Sequence, residues 1–140
     1  KRFEDERGGS WAEVEEIFDR WLTVPDITVH VTATVSIQNV LYVDELVNFI
    51  NSKGVDFGWN YVDDPTELCI DNMTDTAKEL VYNKLKDNQH YEVKSIVKRV
   101  VNATSTSGKA FIDLMDLYDL RRGTNFKQSH GEIYDAMSAK

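Results

Sequence analysis

The sequence predicts an α/β fold: an incomplete (β/α) barrel segment, built on a parallel β-α-β unit, with a helical C-terminal extension. Three observations carry that expectation. Residues 28–36 alternate strictly, with Val29, Val31, Ala33 and Val35 on one side and His30, Thr32, Thr34 and Ser36 on the other. Such a period of two marks a strand with unlike faces. A helical pattern follows over 43–53, then Gly54, then a second alternating run over 55–61. Beyond residue 65 the apolar residues recur at spacings of three and four in several short segments, which read as consecutive helices. The expected division is 1–65 as a partial β/α barrel and 66–140 as a helical region packed on it, in one compact unit.

Each element has a local reason. Ser10 followed by Glu13 is a capping box. Trp11, Val14, Ile17, Phe18, Trp21 and Leu22 then predict an amphipathic helix with one buried face. Pro25 and Asp26 end it and turn the chain into the first strand. After a loop over 37–42, the second helix places Val43, Leu46, Val47 and Ile50 on one side, with Gly54 as a left-handed cap. In the second strand Val55, Phe57, Trp59 and Tyr61 form the apolar side, and Asp56, Gly58 and Asn60 the polar one. The crossover rule makes the two strands parallel neighbours. Residues 62–65 read as a turn and 68–70 as a short extra strand.

Thr74 and Asp75 open a third helix carrying Ala77, Leu80, Val81 and Leu85, broken at Asn88-Gln89. A fourth carries Val93, Ile96, Val97, Val100 and Val101. Residues 102–107 are small and polar, a loop. A fifth helix over 108–120 is expected to bury Phe111, Leu114, Met115 and Tyr118. A linker over 121–126 leads to a sixth, short helix over 130–137.

Composition narrows the function classes. A chain of 140 residues is one domain, or one piece of a larger one. Apolar residues at 41% and aromatic ones at 11% argue against disorder. A net charge of -8 disfavours broad contact with nucleic-acid phosphates. No apolar run approaches the ~20 residues of a membrane span and no signal-peptide pattern opens the chain. Cys69 is the single cysteine, which excludes an internal disulfide and an all-cysteine metal site and makes a cytoplasmic setting the default. The charged run over 1–7, leading from Lys1 straight into Gly8-Gly9, reads as the interior of a longer protein. A fragment or processed product is therefore expected.

The candidate site is the polar side of the two strands. One reading is a sheet surface open to water; the other is the inside of a barrel whose helices cover the aliphatic side. In barrels the C-terminal strand ends host the site. Here those ends are Thr34 and Ser36 with Asn39, and Asn60, while His30, Thr32 and Asp56 lie deeper on the same faces, toward a substrate. Arg7, before Gly8-Gly9 and a capped helix start, could meet an anion with a bidentate guanidinium, or belong to a flexible joint. His30, His90 and His130 are too dispersed for a metal site, and no nucleophile–base spacing stands out. The acidic residues Asp113, Asp116 and Asp119 read as solvated.

Three stretches, KRFEDERGGSWAEVEEIFDRW, ITVHVTATVSIQNVLYVDELVNFI and DLYDLRRGTNFKQSHGEIYDAM, together resemble radical S-adenosylmethionine (SAM) enzymes of the twitch-domain type, in versions found in bacteriophages and environmental sequences. The resemblance runs over most of the chain as loose segments. It implies a partial barrel binding SAM and a [4Fe–4S] cluster held by a Cys-x-x-x-Cys-x-x-Cys loop. That loop is absent here, so both cofactors would belong to a parent protein and none to this chain alone. The chain would then supply part of the SAM pocket and the substrate wall, completed by a missing N-terminal barrel half. On this resemblance Arg7 falls where an arginine meets the SAM carboxylate. Thr34, Ser36, Asn39 and Asn60 fall where relatives contact the nucleoside. The Asp119–Asn125 stretch matches a C-terminal Asp-x-x-Arg-Gly-Thr pattern, with a structural loop clamp as its plainer role. The alternative is a small binding or interaction module that forms a homodimer or higher oligomer through exposed strand edges.

Overall fold

The structure, a computed structural model, describes residues 9–139. In order come α1 (Trp11–Leu22), β1 (His30–Val35), α2 (Val43–Ser52), β2 (Asp56–Tyr61), α3 (Asp75–Leu85), α4 (Tyr91–Asn102), α5 (Lys109–Arg122), α6 (Phe126–Ser129) and α7 (Gly131–Ser138). Short 3-10 turns lie at Val40–Tyr42, Thr66–Leu68 and Ile70–Asn72. The class is mixed α/β, as expected, and mainly helical.

β1 and β2 pair in parallel, in register from His30 opposite Asp56 to Val35 opposite Tyr61. Among the described residues these two strands are the whole sheet, so no further barrel wall is seen. Val35 is buried, Val31, Ala33, Phe57, Trp59 and Tyr61 are half-buried, and His30, Thr32, Thr34, Asp56 and Asn60 are exposed. The apolar side packs toward α2 and α4. Alternation in the sequence thus chose the covered face correctly.

A single cluster of buried side chains joins the strand ends to the C-terminal helices. It runs from Val35, Ile37 and Val40 through Val81, Leu85, Ile96 and Val100 to Phe111, Met115, Ile133 and Met137. The expected two parts therefore share one core. Caps fix where its helices begin. Ser10 Oγ accepts from the Glu13 amide at 3.4 Å, and Thr74 Oγ1 accepts from that of Ala77 at 3.1 Å. The Thr74 hydroxyl also donates to Ala136 O at 2.8 Å, tying α3 to α7. Gly108 has φ 68°, and a Cβ there would lie 2.0 Å from Met137 O. Only glycine allows that approach.

Three expectations need correction. α1 buries none of its side chains; its apolar residues share one broad face as expected, but that face is only partly covered. Residues 68–70 form no strand. Leu68, Cys69 and Ile70 are buried consecutively, but Leu68 N, Cys69 N and Asn72 N each bond to the carbonyl three residues back, so the chain curls in 3-10 turns. The expected linker over 121–126 is shorter, because α5 continues to Arg122 and Gly123 (φ 66°) closes it.

Candidate functional site

The register stacks the predicted polar residues in cross-strand pairs: His30 with Asp56, Thr32 with Gly58, Thr34 with Asn60. Their side chains share one face because strand residues alternate. Gly58 makes room for its neighbour: a Cβ there would meet His30 Nε2 at 3.6 Å, so the imidazole lies over the bare backbone. No hydrogen bond or ion pair joins the side chains of His30, Thr32, Thr34, Asp56 or Asn60 to another described residue. The result is a row of unengaged hydroxyls, a carboxylate, an amide and an imidazole facing outward, open to water. The sheet-surface reading is the one the geometry matches; no hollow closes over this face among the described residues.

The strand ends differ from expectation. Ser36 lies beyond the end of β1 and is buried, so it does not continue the polar row. Asn39 is committed to the backbone. Its Oδ1 accepts from Ser36 N at 3.0 Å and its amide donates to Thr34 O at 2.9 Å, the side-chain-held turn that stops β1. Arg7 lies outside the described residues. Of the seven other predicted positions, five are brought together on the open face, and Ser36 and Asn39 serve the turn.

The covered side has its own character. Between the apolar strand face and α2 and α4 lies a crevice of about 100 Å³, walled by Phe57, Trp59, Leu46 and Ile96 among others. Two strands are too narrow to seal it, and Phe57 and Trp59 remain half-buried.

At the C-terminal end of β2 lies a polar chain with no signature in local spacing. Trp59 Nε1 donates to the Tyr61 hydroxyl at 2.9 Å, and the Arg99 guanidinium lies 4.0 Å over the Tyr61 ring. Arg99 grips Asp71 with two bonds, 2.9 and 2.6 Å. That fork holds the Asp71 carboxyl below its ordinary range and raises Arg99. Cys69 Sγ approaches Asp71 Oδ2 at 3.6 Å. Trp59 and Tyr61 come from β2, Asp71 from a 3-10 turn and Arg99 from α4, and no local spacing signals their meeting. A second network joins Lys78, buried in α3, to Ala103 O and to Ser105 Oγ at 2.9 Å, with Ser105 donating in turn to Asp75. It pins the loop 103–107 to the start of α3.

Asp119 is not solvated as read. Its carboxylate accepts from the Thr124 hydroxyl at 2.7 Å and from Phe126 N at 2.8 Å, a clamp that shapes the α5–α6 corner and fits the plainer role expected for that stretch. Nearby, His130 is buried and stacks on Phe126 with centroids 4.4 Å apart.

The residues do not fit an iron–sulfur cluster, which is held by several cysteine thiolates: Cys69 is alone and buried. No group of three or more metal-ligating side chains forms among the described residues, and none of the described helices is long and apolar enough to cross a membrane. Comparisons with protein-family models, with curated proteins and with solved structures find no match to the chain.

Proposed function

We propose that this chain is an interaction module that associates through its uncovered two-strand sheet. The observation that carries the reading is the sheet itself. A parallel pair is ordinarily flanked by further strands and covered on both faces, and two strands alone are marginal in water. Here both outer edges are unpaired among the described residues, and one face presents unengaged donors and acceptors. Unpaired edges are templates for another backbone. Thr32→Lys and Asn60→Lys place a charge on the open face without touching the core. Both variants should melt like the parent within about 0.5 kcal/mol. For each, sedimentation should lose the species held together through the sheet. A parent that stays monomeric at high concentration, or variants that sediment as the parent does, would contradict the reading.

A second reading draws on the alignment of Thr34 with Asn60 and of Thr32 with Gly58. Two polar strand faces in register, with helices behind, are what the lumen wall of a radical SAM barrel would present. On that reading the module is a wall piece, and its partner is the barrel half that brings the three-cysteine loop. Co-expression with such a segment should yield a brown complex from which neither chain separates on gel filtration. Two chains that purify apart would exclude it.

A further inference from the structure

The broad apolar face of α1 has two edges with different fates. Trp11 and Phe18 lie against Phe49 of α2, with centroids 5.1 and 6.0 Å away, and Glu15 and Asp19 pair with Lys53 at 3.2 and 2.7 Å. Along the adjoining edge of that face Val14, Ile17 and Trp21 are 38, 50 and 55% exposed, and Val24, just past the helix, is 44% exposed. Their spacing is three, four, three. That is the a/d repeat of a helix–helix seam, carried on an edge left largely exposed.

From this face we infer that α1 pairs with α1 of a second copy of the chain, antiparallel, about a two-fold axis near Ile17. It rests on reading the chain as an interaction module, and it assigns a surface distinct from the sheet. Charge selects both the occupant and the direction. Glu13 and Arg20 flank the seam seven residues apart, on its same side, and neither forms an ion pair among the described residues. In an antiparallel pair these flanking positions face each other, so Glu13 meets Arg20 of the second copy and Arg20 meets its Glu13. The interface is therefore self-complementary, as a two-fold contact must be. A parallel pair would set Glu13 beside Phe18 and Arg20 beside Pro25, with no compensation. Burying Val14, Ile17 and Trp21 from both copies removes apolar surface that the monomer leaves in water. The seam is only two heptads long, so the dimer is weak and concentration-dependent.

A charge-reversal cycle tests the pairing. Glu13→Arg and Arg20→Glu each convert two attractive contacts to repulsive ones, and each should weaken dimerisation roughly tenfold. The double variant restores opposite charges across the seam and should return to within about threefold of the parent. Melts of the variants should stay within about 1 kcal/mol of the parent, the size of the effect of reversing charges at the two ends of a helix. Ile17→Asp should abolish the dimer. The inference is overturned if the parent remains monomeric to ~100 µM, if single reversals leave association unchanged, or if the double variant does not recover. Association that survives both reversals but is lost in Thr32→Lys would overturn α1 pairing while leaving sheet docking intact. Loss of dimer in the reversals with no effect of Thr32→Lys would do the opposite.

Discussion

The two ends of this molecule are built to different standards. From residue 9 to residue 34 no side chain is fully buried, although the stretch holds a capped helix and most of a strand; Val35 is the first to enter the core. From there on, each long helix contributes buried residues, and side-chain clamps fasten the connecting loops. The difference teaches where stability and interaction are separated. The C-terminal helices share one core with α2 and the end of β1, while α1 and the sheet are attached by one face each and leave the other face available.

That contrast yields graded expectations. Phe111 is fully buried between α5 and its neighbours, and Phe111→Ala should cost about 3–5 kcal/mol in a denaturant titration. Gly108→Ala should cost about 3 kcal/mol or more in the same assay, since its Cβ would overlap Met137 O and lie 2.8 Å from Thr74 Cγ2 at a positive φ. Lys78→Met removes the donor that holds Ala103 O and Ser105, and should cost roughly 1–3 kcal/mol. Equal losses from Ile17→Ala and Phe111→Ala would erase the distinction between the two ends.

Asp71 gives a smaller, pH-dependent effect. Both members of its pair with Arg99 are about 40% exposed, so Asp71→Asn should cost less than about 1 kcal/mol at pH 7. The folded carboxyl titrates below its unfolded value. Its contribution is therefore complete above the ordinary aspartate range, near pH 4, and is lost as pH falls through the lower folded value. Thermal melts of parent and variant should differ at pH 7 and converge at strongly acidic pH. The smallest effect is expected in α1, where Ile17→Ala should change monomer stability by no more than about 0.5 kcal/mol.

Local periodicity made much of this fold legible. The alternation over 28–36 and 55–61 identified both strands, their parallel pairing and the covered face. Ser10, Thr74 and Gly54 marked helix ends through chemistry confined to a few residues. The misreadings have a common cause. In α1, the apolar residues at 11, 14, 17, 18, 21 and 22 share one broad face, and only a neighbour decides which edge of it is covered. Asn39 looked like a ligand contact because an amide beside a strand end serves a turn equally well. The Asp71–Arg99–Tyr61–Trp59 chain and the Lys78–Ser105 clamp join residues from different elements, and their partners are chosen by packing.

Amide hydrogen exchange at low and high protein concentration addresses the division between a self-sufficient core and an open N-terminal surface most directly. In dilute solution the expected pattern is slow exchange in α3, α5 and α7 and fast exchange in α1, β1 and β2, with raised concentration slowing only the latter group. Uniform protection from α1 through α7 in dilute solution, or a pattern indifferent to concentration, would contradict it.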